Sequence, residues 1–292
     1  VAIALVDISL ILTTIMNGLV WGLILALISI GLSLIFGLMG ILNFAHGGYY
    51  ALGAFIAFTV VASSGNYFLA IPIAAIMCGL LGLIIEPTLL RRLYVADPIP
   101  GLLLNFGILL IMLESIRMIW GKYGQPFFPP PSLDFRVNLL FFDYPAYRIF
   151  VTLLSVSIAA AVFIFMKKTQ IGTMIRAGIQ DREMVQVLGF NIGRIFTFTY
   201  MIGTAIAGIA GLAAAPLLGV YPEMGYEVLI LGFVVVVIGG LGNLRGALLA
   251  GILVGQAATL PVLFEPRISQ VMIYIVMAIV LIIRPAGLLG EK

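Results

Sequence analysis

Charge is what this chain has least of. Only 9% of its 292 residues are Asp, Glu, Lys or Arg, against about 25% in a soluble domain, too few to wet a globular surface. Histidine and cysteine occur once each, as His46 and Cys78. A single cysteine excludes an internal disulfide, and Cys78, inside an apolar run, reads as a small packing residue. There is no Cys/His cluster at metal-ligand spacing, and no HExxH, GxSxG or Walker loop. Zinc hydrolysis, serine acyl transfer and nucleotide hydrolysis therefore lack their parts. The expectation is a protein that is not an enzyme, with no catalytic residue, no metal and no cofactor of its own. A formal charge of +3 is too small to draw in a nucleic-acid backbone, so no nucleic-acid partner is expected.

What fills the chain is apolar sequence, 63% of it, in blocks near 10–36, 41–62, 69–90, 101–120, 148–166, 195–217, 226–241, 246–262 and 268–284. Most are about the length that carries a helix across a hydrocarbon core of ~30 Å. A β-barrel would alternate over segments of about 10 residues, and this chain does not. The fold class expected is all-α, a polytopic helical membrane protein with eight or nine membrane segments, forming one transmembrane domain over residues 1–292. Two segments read as broken or re-entrant: 41–62 is interrupted by "NFAHGG", and 226–241 is short and ends in "GGLGN". Irregular backbone at membrane depth survives only where protein or a wet cavity satisfies it. Gly18-Gly22-Ala26, Gly203-Ala207-Gly211 and Gly242-Gly246-Ala250 each place a small residue at every fourth position, which predicts close helix packing.

Cations orient the chain. With the 167–194 loop in the cytoplasm, ten Lys and Arg fall inside and five outside, as the positive-inside bias asks. The N-terminus is then external and the C-terminus cytoplasmic. The external segment 121–147 carries three consecutive prolines and many aromatics. It is read either as a folded connector on the membrane or as a docking surface for an external partner. The carboxylates sit at span ends or in loops: Glu86, Asp97, Glu114, Asp181, Glu183, Glu223, Glu227 and Glu265. Glu86 is expected to pair with Arg91 at the interface, and Glu114 with Arg117 at the outer rim. Ion-coupled transport is usually marked by an ionisable group within the membrane; only His46 stands there, so the energy source is expected on another chain.

Within the cytoplasmic loop, "TMIRAGIQDREMVQVLGF" reads as one short amphipathic helix. Arg176, Gln180 and Glu183 make a polar stripe, Met184, Val185 and Leu188 an apolar patch, and Gly189 a C-terminal stop. It suits a partner's cleft better than lipid, with Arg182 and Glu183 setting register by charge.

Three stretches, "NGLVWGLILALISIGLSLIFGLMGILNFAHGGYYALGAF", "RAGIQDREMVQVLGFNIGRI" and "GFVVVVIGGLGNLRGALLAGILVG", occur in the order found in the membrane permeases of branched-chain amino-acid ABC importers. From about residue 10 to 290 the chain resembles that family, and within it the first of two paralogous subunits. The resemblance implies a single permease domain that shares its pathway with a paralogous permease and is driven by ATP and Mg on two cytoplasmic ATPase subunits. It further implies an external substrate-binding protein, membrane lipid as the surrounding medium, and the inner membrane of a prokaryote. By the same resemblance the coupling segment is 167–194, with Arg176, Asp181, Arg182, Glu183, Met184, Val185, Leu188 and Gly189. The cargo it implies is a branched-chain or other hydrophobic amino acid. Alternatives are urea, short-chain amides or aromatic acids in the same importer class, and a stand-alone channel or carrier. The two broken segments supply the candidate pathway or gate residues: Asn43, His46, Gly47, Gly48, Gly240 and Asn243. His46 is either a polar group in a gate or a histidine held by a backbone carbonyl at a helix break.

Overall fold

The computed structural model describes residues 8–93, 98–139 and 142–290; Asp97 lies outside them. Among the described residues, nine apolar helices build the bundle: α1 (Ile8–Met39), α2 (Ala45–Ser64), α3 (Tyr67–Ile85), α4 (Pro98–Trp120), α5 (Ala146–Lys168), α8 (Ile192–Leu218), α9 (Met224–Gly239), α10 (Leu244–Thr259) and α11 (Ile268–Ile283). Seven of the apolar segments are long enough to cross a membrane, while α9 and α11 are shorter. Two small helices, α6 (Gln170–Gln180) and α7 (Arg182–Val187), lie between α5 and α8. The strands described, β1 (Arg136–Asn138) and β2 (Asp143–Pro145), form one short antiparallel pair. The chain is a polytopic helical membrane protein.

Small residues decide which helices meet. A Cβ on Gly22 would fall 2.7 Å from the Gly251 carbonyl oxygen, and one on Gly255 2.3 Å from that of Gly18, so α1 and α10 run antiparallel in backbone contact. Gly53 meets Gly208, and Gly203 meets Gly31, which bring α2 and α1 onto α8. With no hydrophobic drive between helices in lipid, such close approach supplies the dispersion contact that holds them. One expected stripe is shortened: Gly242 precedes α10 at φ +79°, so the helix face begins at Gly246.

Contacts also order the two faces. The start of α1 meets Tyr144 through Asn17 (2.9 Å), which sets it on the face of the 121–147 segment, here termed outer. The end of α1 packs on α6, where a Cβ on Gly178 would touch Leu38 at 2.8 Å. The C-terminal tail pairs with the end of α9, Leu288 N–H donating to the Ile238 carbonyl at 2.7 Å. That face is termed inner.

One segment departs from its expected form. The interruption of 41–62 covers residues 41–44, so it takes in Asn43 and Phe44 of "NFAHGG" but not its glycines. It begins at Gly40 (φ +69°), and α2 is continuous through His46, Gly47 and Gly48. Glycine pairs inside an apolar run serve bends and close contacts alike, and here the contact decided. A Cβ on Gly47 would lie 2.2 Å from the Gly225 carbonyl oxygen, and one on Gly48 2.9 Å from the Met112 sulfur. The re-entry is in the linker. His46 reaches the Ile28 carbonyl, eleven residues before the end of α1, or about 16 Å up that helix. Residues 40–44 therefore climb back into the bundle before α2 begins.

Candidate functional site

The re-entrant linker creates a polar pocket in an apolar interior. Asn43 is 2% exposed and Asn105, on α4, is 1% exposed. Tyr200 of α8 donates to Asn43 Oδ1 at 3.5 Å and receives the edge of Tyr49, ring centroids 6.1 Å apart. The Nδ2 of Asn43 and the Oδ1 of Asn105 find no hydrogen-bond partner among the described residues. Both residues line one cavity with Ile35, Met39, Ile41, Leu90 and Tyr200, which offers about 10 Å³ to water centres. That is room for about one water, and an amino acid does not fit. An unpaired donor and an unpaired acceptor facing a one-water space are what a buried bridging water satisfies.

His46 sits above this pocket and is fully buried. Its Nε2 lies 3.2 Å from the Ile28 carbonyl oxygen, the backbone partner that the structural reading requires. The ring is enclosed by Gly31, whose Cβ would come within 2.9 Å of it.

The other two gate candidates lie elsewhere. Gly240 (φ +100°) and Gly242 (φ +79°) turn the chain between α9 and α10, and Asn243 caps α10 by accepting from Gly246 N at 2.9 Å. Asn243 Nδ2 also donates to the Leu289 carbonyl at 2.6 Å. The C-terminal tail thus helps satisfy this turn. Near the two breaks, Gly37 at the end of α1 lies against the Gly242 backbone.

The inner-face segment differs from its expected form in three respects. It is two helices, because Asp181 leaves α6 in an extended conformation (φ −153°) and caps α7 by accepting from Met184 N at 2.9 Å. Arg176 and Gln180 on α6 therefore share no stripe with Glu183 on α7. Val185 is 3% exposed and faces the bundle, so it is not part of the outer patch. Arg182 holds its guanidinium 5.9 Å over the Phe196 ring, beside Gly40, which turns it toward its own chain. The surface left outward is Met184, Val187, Leu188 and Phe190, the second of them 81% exposed. Gly189 ends the helix at φ +85°, with Phe190 N donating to the Val185 carbonyl at 3.2 Å. Asp181 followed by Glu in the next turn is a helix-start signal, and reading it would have located the break.

Both expected ion pairs form. Arg117 contacts Glu114 and bridges to Glu223 at 2.8 Å. Beside them Tyr221 donates to Glu227 at 2.6 Å. Burial, and then that hydrogen bond, raise the Tyr221 phenol above its usual value, so it stays a donor. Glu86 pairs with Arg91 at 3.0 Å at the end of α3; its side chain is 0% exposed and also accepts from Thr197 Oγ1 at 2.6 Å. Thr197, Asn105 and Tyr200 were missed from sequence. The rule applied to His46, a polar residue within an apolar span, finds Asn105 directly.

The outer segment 121–147 is folded onto the bundle. Gln125 and Val220 exchange backbone bonds of 2.7 and 3.0 Å, and Phe127 packs on Phe58 and Tyr67. Tyr123, Phe128 and Phe135 remain exposed.

Seven apolar helices long enough to cross a membrane, packed into one bundle among the described residues, define a multi-pass membrane protein. A family model described as branched-chain amino acid transport system / permease component matches residues 14–281, and the chain belongs to that family. It is 29% identical over 291 residues to the high-affinity branched-chain amino acid transport system permease protein BraD of Pseudomonas aeruginosa, covering 94% of each chain. It is 27% identical to the corresponding permease protein LivM of Escherichia coli, covering 90% of this chain and 67% of that one. A solved structure, PsaBC from Streptococcus pneumoniae in complex with Fab, matches with a TM-score of 0.50 at 12% identity, over 91% of this chain and 89% of that one. That last likeness is one of fold alone.

Proposed function

We propose that the chain is a permease subunit of an ABC importer for branched-chain or other hydrophobic amino acids. It forms the pathway with a paralogous permease, and ATP hydrolysis on two separate cytoplasmic ATPase subunits drives it. An external binding protein delivers the solute. Similarity both to BraD, nearly end to end, and to the longer LivM supports two related permeases in one importer. The ATP and Mg belong to the partner subunits, and this chain binds no cofactor. The inner face is the cytoplasmic one, as the cation bias favours, which places the C-terminus in the cytoplasm of a prokaryotic inner-membrane protein.

One observation carries the drive: Met184 and Val187 of α7, with Leu188 that caps it, stand exposed, outside any span, on a segment packed against α6 and α8. Burying such side chains is worth roughly 1.5–3 kcal/mol each, before the costs of docking. A chain without its own energy source receives force through such a surface. The test replaces buried Cys78, places a cysteine at Gln186 and others on the ATPase surface, and looks for disulfides in the active complex. Cross-links at Gln186 are expected; their absence, with links forming from other inner loops, removes α7 as the coupling element.

A further inference from the structure

The geometry points to Glu86 as the positioning residue that carries the displacement of α7 into the bundle, by clasping the end of α3 to the first turns of α8. This rests on α7 being the coupling element.

Glu86 opens a five-residue π-helical stretch, Glu86–Leu90, at the inner end of α3. Such stretches are rare and concentrate at functional positions. Pro87 has no N–H to give back to the helix. The carboxylate accepts from Thr197 of α8 at 2.6 Å and from Arg91 at 3.0 Å. Arg91 in turn donates to the Gly193 carbonyl of α8 at 3.0 Å and to Thr197 Oγ1 at 2.5 Å. Two helices distant in sequence are thus joined by a closed ring of charge-assisted bonds around a fully buried carboxylate.

The ring sits between the two places that matter. Toward the inner face, α8 starts at its Asn191 cap, two residues past the Gly189 stop of α7, and Arg182 of α7 rests on Phe196. Toward the interior, Gly193, Thr197 and Tyr200 follow one face of α8 at i, i+4 and i+7, and Tyr200 reaches Asn43 in the re-entrant linker. Leu90, one turn beyond Glu86, lines the same one-water cavity. Apolar packing already holds α3 to α8, with Gly82 against Thr204 and Cys78 against Gly208, but such contacts slide. A buried carboxylate with directional partners fixes register and is costly to leave half-paired. A push on α7 therefore moves α8 and α3 as one body against the linker.

The test uses the assembled importer, with its ATPases, paralogous permease and binding protein, reconstituted in vesicles with labelled leucine. Solute moved per ATP hydrolysed is compared for wild type, Glu86→Gln, Thr197→Val and Thr197→Ser. Transport is expected to fall about tenfold, the equivalent of ~1.4 kcal/mol, in Glu86→Gln and Thr197→Val while ATP hydrolysis persists. Thr197→Ser, which keeps the hydroxyl, restores the ratio. If Glu86→Gln does not assemble, Thr197→Val gives the same reading, since it leaves the Glu86–Arg91 pair intact. An unchanged ratio, or transport and hydrolysis falling in parallel, overturns the role of Glu86. Persistence of the Gln186 cross-link in those variants then shows that the coupling reading still stands. Loss of that cross-link in wild type sinks both.

Discussion

At Gly47 a methyl group has nowhere to go, because its position is 2.2 Å from the Gly225 carbonyl oxygen on another helix. A Cβ on Gly107, half-buried on α4, would have nothing within 4 Å. Gly47→Ala is therefore expected to lower stability by about 1–3 kcal/mol, the usual cost of overpacking. Gly107→Ala is expected to be neutral or to gain ~0.5–1 kcal/mol of helix propensity. Thermal unfolding of the detergent-solubilised variants separates the two, and equal shifts would contradict backbone contact at Gly47. His46 gives a second case at this scale. Its one hydrogen bond is to a carbonyl, so His46→Gln, which keeps a donor, is expected to accumulate normally and to lose no more than a neutral hydrogen bond is worth, ~0.5–1.5 kcal/mol. Uptake by His46→Gln at acidic and neutral external pH is expected to follow wild type; a changed pH dependence at full accumulation would put His46 in a gate.

Among the elements, α7 carries the functional argument, and its two faces make opposite predictions. Leu188 is 65% exposed and Val185 is 3% exposed. Leu188→Asp is expected to leave the chain folded while uncoupling or dissociating the ATPases. Val185→Asp places a charge against the bundle and is expected to reduce accumulation instead. Co-purification of the ATPases with each variant, normalised to permease in the membrane, makes the distinction. If both variants behave alike, α7 has no docking face. The membrane helices were legible in the sequence because ~30 Å of hydrocarbon imposes a length. The apolar block 101–120 becomes Pro98–Trp120, and 268–284 becomes Ile268–Ile283. The coupling segment was harder. One polar side chain at Asp181 stops α6 and starts α7, and a 3.6-residue periodicity drawn through that point put Val185 on the wrong face. The same limit applies to "NFAHGG", where only the neighbouring Gly225 backbone shows that the glycines make a contact and not a bend.

For the molecule as a whole, the buried polar residues were the least legible part, because they depend on which helices become neighbours. Asn43, Asn105 and Tyr200 come from three distant segments and converge only through the re-entrant linker, and the cavity they line accepts about one water. A cavity of that size takes no amino acid, in keeping with the proposal that motion is imposed from outside the chain. The central claim is that this subunit transports only when driven by separate ATPases. Its most direct measurement is labelled leucine uptake into proteoliposomes, with the purified chain alone under an imposed proton or sodium gradient, and with the complete importer supplied with ATP and Mg. Concentrative uptake is expected only in the complete, ATP-supplied vesicles. Concentrative uptake by the chain alone on an ion gradient would contradict the claim.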